Sequence, residues 1–161
     1  MPLTPFHLGP ALLIGVILHR RLDLPTLLAA SVVVDVRAAL VLFGPLDPPI
    51  HGILTTFAGG TVVALLLAGV ITGFGERLRP LLAPLRLADT DAAGPVVAAA
   101  LVGVYSHVLL DAKLYTDARP FFPLEVNPFY VGATAFLPVY AGCALAGLLA
   151  LPIAVVRWRG H

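Results

Sequence analysis

In the run Tyr105-Ser-His-Val-Leu-Leu-Asp111, an imidazole and a carboxylate stand four residues apart. On a helix that spacing puts both on one face, one turn from each other. A His and an Asp so placed suit a divalent metal such as Zn²⁺, completed by ligands from elsewhere in the fold. A plain His–Asp hydrogen bond at the end of the helix uses the same pair, and spacing alone does not choose between the two. His51 and Thr55 repeat the spacing at the start of another apolar segment. There the threonine has the ordinary alternative of bonding back to its own helix. Asp35, in Ser31-Val-Val-Val-Asp-Val-Arg37, is the most costly residue to bury, and it must be protonated, paired or bound to a cation. Arg37 is its nearest cation in sequence, yet residues two apart on a helix point about 200° away from each other. The guanidinium could equally meet Asp111 or Asp47 on a neighbouring segment, or reach outward. No Ser-His-Asp or Cys-His arrangement competes, because Ser106 adjoins His107 and turns away from it on a helix.

These residues are conspicuous because their surroundings are so apolar. Of 161 residues, 59% are hydrophobic and 12% charged, and the mean hydropathy is +0.96. Soluble domains run near ~45–50% apolar and about 25% charged. So small a globule could not hide this much apolar surface, and disorder is excluded. A formal net charge of +1 excludes a basic nucleic-acid-binding face. The lone cysteine, Cys143, excludes a disulfide framework and a cysteine-based metal site. Residues 1–161 read as a single all-α integral membrane domain.

Five apolar stretches, roughly 6–18, 25–43, 50–74, 94–110 and 129–156, predict about five transmembrane or half-inserted helices. A bilayer core of ~30 Å needs about 20 helical residues, so the first stretch is too short for a full crossing by itself. The charges of the N-terminal region, Arg20 and Arg21, follow the apolar run, which favours an uncleaved first helix. With the N-terminus outside, Arg20, Arg21, Arg77, Arg79, Arg86, Arg157 and Arg159 are cytoplasmic, against Lys113 and Arg119 outside. Seven against two predicts N-out and C-in in the inner or plasma membrane. In that topology His7, Asp35, Arg37, Asp47, His51, His107 and Asp111 all fall in the outer half, whereas His19 and His161 sit solvated at the cytoplasmic edge. Gly52, Gly59, Gly60, Gly69 and Gly73 read as helix-packing positions. The segment from Lys113 to Phe129, rich in aromatics and prolines, reads as an interfacial anchor, with a lid over the site as the alternative.

Taken together, Thr4-Pro-Phe-His-Leu-Gly-Pro10, Ser31-Val-Val-Val-Asp35, His51-Gly52 with Thr56-Phe57, Tyr105-Ser-His-Val-Leu-Leu-Asp111 and Pro120-Phe121 resemble the YdjM-like family of inner-membrane metal-dependent hydrolases. The resemblance runs in order over roughly residues 4–128, and Ser-His-x-x-x-Asp is its most distinctive element. It implies a metal site of His7, Asp35, His51, His107 and Asp111. Two positions depart from the family pattern. Asp35 is followed by Val36-Arg37-Ala38 where Val-Glu-Pro is usual, and Thr55 stands where a second histidine is usual.

A guanidinium facing the site would repel a divalent ion and could itself neutralise Asp35 and Asp111. One expectation is therefore a metal-free, inactive relative in which Arg37 replaces the metal charge, serving as a structural or accessory membrane subunit. The other is an active hydrolase with a Zn or Mn ion on the five ligands, Asp35 or Asp111 accepting the proton, and Arg37 binding a phosphate. Its location in the membrane suggests a lipid or phosphoester substrate, and membrane lipid is the one partner implied. A transporter is disfavoured, since no inverted repeat and no polar path through the inner half are present.

Overall fold

Helix starts and breaks, rather than the long apolar runs alone, determine where the polar side chains end up. The computed structural model describes residues 5–86 and 92–159; Thr4 and His161, named above, lie outside the described residues. Helix α1 spans Pro5–Ile17, α2 Leu24–Val33, α3 Val36–Phe43, α4 Phe57–Gly73, α5 Gly75–Leu82, α6 Ala93–Leu114 and α7 Phe136–Arg159. No strand occurs among the described residues.

Local chemistry explains the boundaries. The Asp23 side chain caps α2, accepting from the Thr26 amide at 3.1 Å and the Thr26 hydroxyl at 2.5 Å, and Pro25 sits in the first turn where no helical N–H is needed. Arg86 Nε reaches the same buried carboxylate at 3.2 Å, tying the segment after α5 to the start of α2. Thr56 caps α4 by accepting from the Gly59 amide at 2.9 Å. Helix α4 therefore begins six residues after His51, and both His51 and Thr55 precede it; Thr55 lies in a single 3₁₀ turn, Ile53–Thr55. The last apolar stretch likewise becomes helical only at Phe136, after a 3₁₀ turn over Ala133–Ala135.

The second apolar stretch is not one helix. It breaks at Val34–Asp35, and α2 and α3 are bent by 41°. The Asp35 amide donates to Val32 O at 3.1 Å, a tightened turn, instead of to Ser31 O four residues back. Three consecutive valines before the break are β-branched and hold a helix weakly. No proline stands at the break, and the helix is interrupted without one.

Among the described residues, two helices, α6 and the segment Ala133–Arg159 containing α7, are long and apolar enough to cross a membrane; counting α2 with α3 and α4 with α5 as single bent spans gives up to four. The α4–α5 pair turns by 93°, so α5 runs crosswise to α4. At 13 residues, α1 is ~20 Å long, short of a full crossing. Large apolar side chains point outward along α7, with Leu137 80% and Val156 71% exposed, as a lipid-facing helix requires.

Helix α6 is the centre of the fold, packed against α2 on one side and α4 on another, while α1 lies against α2 and α7. Small residues permit the close approaches. Gly103 of α6 sits on the α2 backbone, and Gly60 of α4 receives Val104. Gly69 and Gly73, by contrast, meet nothing within 4 Å, so the packing reading holds for Gly60 and not for these two. At the end of the molecule away from His107, His19 contacts Arg157.

Candidate metal centre

Four separate elements deliver five polar side chains to one buried point. His7 comes from the first turn of α1, Asp35 from the α2–α3 break, His51 from the segment before α4, and His107 and Asp111 from α6. The i,i+4 pair is realised as its spacing predicts, with His107 Nε2 2.9 Å from Asp111 Oδ2. Asp111 also faces His51 Nε2 at 3.4 Å and His7 Nε2 at 3.5 Å, and His107 Nε2 faces Asp35 Oδ1 at 3.2 Å. The His7 and His107 rings stack at 3.9 Å. His107, Asp111 and His7 are 0–2% exposed, and the Asp35 side chain 13%.

The second nitrogens of two of these rings are held by the protein. His107 Nδ1 lies 2.7 Å from the main-chain oxygen of Ser31, which can only accept, so Nδ1 carries the proton. Asp35 does not use that carbonyl in a helical turn, so the α2–α3 break supplies both an acidic side chain and the acceptor that sets the His107 tautomer. His51 is clasped by Asp117, whose Oδ1 accepts from Nδ1 at 2.8 Å and whose Oδ2 accepts from the His51 amide at 3.2 Å. In both rings Nε2 is then the nitrogen left facing the carboxylates. A ring whose far N–H is held by a carbonyl or carboxylate is the usual support of a metal-ligating histidine. Burial opposes charge on His51, but Asp111 and Asp117 outweigh it and raise its pKa.

Whether a metal fits can be asked of the unsatisfied atoms. Both ring nitrogens of His7, Nε2 of His107 and both carboxylate oxygens of Asp111 are buried without a hydrogen bond of good geometry. Such orphaned groups are costly unless something else satisfies them. One ligand atom each from His7, Asp35 and His107 lies within 4.8 Å of the others, so this group could hold a metal ion. His51 and Asp111 border it, and the residues present fit a divalent ion.

Arg37 goes elsewhere. Its Nη2 donates to the main-chain oxygens of Pro49 at 3.0 Å and Asp47 at 3.4 Å, and its side chain lies over Gly52, where a Cβ would collide with it. Thr55 donates its hydroxyl to Gly52 O at 2.9 Å, a local bond of the kind threonine makes in any turn.

The residue that sequence reasoning missed is Asp117. It lies 66 positions from His51, in a loop with no periodicity. Asn127 holds that loop, donating to Ala112 O at 2.8 Å and Ala118 O at 3.1 Å, and the Phe57 amide donates to Pro120 O at 2.8 Å. Phe57, Phe121 and Phe129 cluster at centroid separations of 5.2 to 6.5 Å, fastening the loop to α4. Comparison with family models, curated proteins and solved structures finds no match to this chain.

Proposed function

We propose that the protein is a membrane-embedded, divalent-metal-dependent hydrolase, built as a five-helix membrane bundle with α1 half-inserted, acting on a lipid or phosphoester. The observation that carries this reading is the set of orphaned, buried ligand atoms around Asp111. The resemblance to YdjM-like proteins points the same way, and an N-out orientation would put the site in the outer half of the membrane. His7, Asp35, His107 and Asp111 would hold the ion, with His51 completing the set. A bound Zn²⁺ or Mn²⁺ supplies an acidified water and polarises the scissile ester. The chain's own residues do the rest. Ser31 O and Asp117 keep the His107 and His51 rings oriented, the burial of His7, His107 and Asp111 limits access of bulk water, and Asp35, the less buried carboxylate, accepts the proton of the attacking water. Arg37, turned to the loop carbonyls, gives no support to the metal-free alternative.

Detergent-purified protein loaded with Zn²⁺ or Mn²⁺ should hydrolyse a generic chromogenic ester or phosphodiester, and lose that activity on chelation and on Asp35→Asn. Metal binding without hydrolysis of any ester would overturn the catalytic part of the reading. Asp117→Asn removes only the support of His51, so it should weaken metal affinity by about 10–100-fold and leave the fold intact. Metal titration with a competing chelator, alongside circular dichroism, reads both quantities.

A further inference from the structure

Beside His51 a cavity of about 390 Å³ opens, with Pro49, His51, Ile53, Asp117, Arg119 and Phe122 among its walls. His51 belongs to both the cavity and the candidate metal centre, so whatever fills the cavity lies next to the cluster. The walls differ in chemistry. Pro49, Ile53 and Phe122 offer hydrocarbon, and Ile53 and Phe122 are 60% and 43% exposed. Asp117 is engaged with His51 through both oxygens. Arg119 is the cation among these lining residues, and its Nη1 donates to Glu125 at 2.7 Å. That pair is exposed, 50% on Arg119 and 75% on Glu125, so water already competes for it and an arriving anion can displace the carboxylate. A guanidinium matches a phosphate with two parallel N–H donors. Arg37 does not line the cavity.

We propose that this cavity is the substrate pocket, that it takes an alkyl phosphate, and that Arg119 recognises the phosphate, which displaces Glu125 from the guanidinium. The hydrocarbon of the ligand lies on Ile53 and Phe122. This inference rests on the hydrolase reading for its substrate role, but the binding site stands without it.

The test is equilibrium binding to the full chain in a maltoside detergent, with three probes: octyl phosphate, inorganic phosphate and octanol. Octyl phosphate should bind about tenfold or more tightly than either of the others, since only it engages both the guanidinium and the apolar wall. Arg119→Gln should weaken octyl phosphate about tenfold while the metal content stays at the wild-type value. Glu125→Gln should strengthen it, a gain that a misfolded variant cannot produce. Unchanged binding in Arg119→Gln overturns the proposal. Equal affinity for inorganic phosphate would assign the site to free phosphate instead, and equal affinity for octanol would leave only an apolar pocket; either also overturns it. If chelated protein still binds octyl phosphate through Arg119 but the Zn²⁺- or Mn²⁺-loaded protein cleaves no ester, the hydrolase reading fails and the pocket assignment survives.

Discussion

Asp111→Asn is expected to abolish metal retention while leaving the helices in place. Asp111 is 1% exposed and its two oxygens face three imidazole nitrogens at 2.9 to 3.5 Å. The amide keeps the volume and removes the charge, so packing around it changes little. The loss in Zn²⁺ affinity should exceed the roughly 100-fold upper end seen when a mere supporting partner of a ligand is removed. A second reading of the same experiment comes from heat. A ligand that binds only the folded chain at 100 times its Kd stabilises it by about 2.7 kcal/mol, so Zn²⁺ should raise the wild-type Tm and leave that of Asp111→Asn unmoved. The competing picture is a metal-free network in which His107 carries a second proton shared with Asp35 and Asp111. In that case the wild type holds no stoichiometric Zn²⁺ or Mn²⁺ and its Tm ignores both ions. Elemental analysis of the purified protein separates the two.

The second large effect is expected far from any charge, at Gly103→Ala. A Cβ there would lie 2.6 Å from both the Ala30 Cβ and the Leu27 carbonyl oxygen, and 3.0 Å from the Ser31 amide. Leu27 O and the Ser31 amide are main-chain atoms of α2, so no side-chain rotation relieves the clash and the helices must part. Overpacking of this kind costs about 1–3 kcal/mol. The displaced helix also carries Ser31 O, which orients His107, and leads into Asp35, so metal affinity should fall together with Tm. Gly69→Ala is the control. It meets nothing within 4 Å, and replacing a mid-helix glycine by alanine should be neutral or stabilising by about 0.5–1 kcal/mol. Equal behaviour of the two variants would refute the proposed role of the α2–α6 contact.

Much of the site was legible because ionisable groups are rare in apolar segments and each needs a reason to be there. His7, Asp35, His51, His107 and Asp111 were all expected at one end of the bundle, and they converge. The i,i+4 rule placed His107 against Asp111, and the 200° argument correctly discouraged a direct Asp35–Arg37 pair. The same reasoning failed where structure is not periodic. Applying helical spacing to His51 and Thr55 assumed a helix that starts later, at Phe57. Asp117 had no local signal, since its role depends on a loop folding back over 66 residues. The break at Val34–Asp35 had a weak one, the run of three valines, overshadowed by an apolar stretch long enough to read as a single span.

The bond between His107 and the Ser31 carbonyl bears on how such a site can drift in sequence without drifting in geometry. Its acceptor is a main-chain oxygen, so no substitution at position 31 deletes it, and the serine hydroxyl is already turned to Leu28 O at 2.8 Å. What must persist is the interruption of the helix, which many different residues can produce and no alignment column records. The residues around Asp35 can therefore be exchanged and the same imidazole nitrogen still be handed to the centre. The heritable unit here is a shape of backbone, and a comparison of side-chain identities is blind to it.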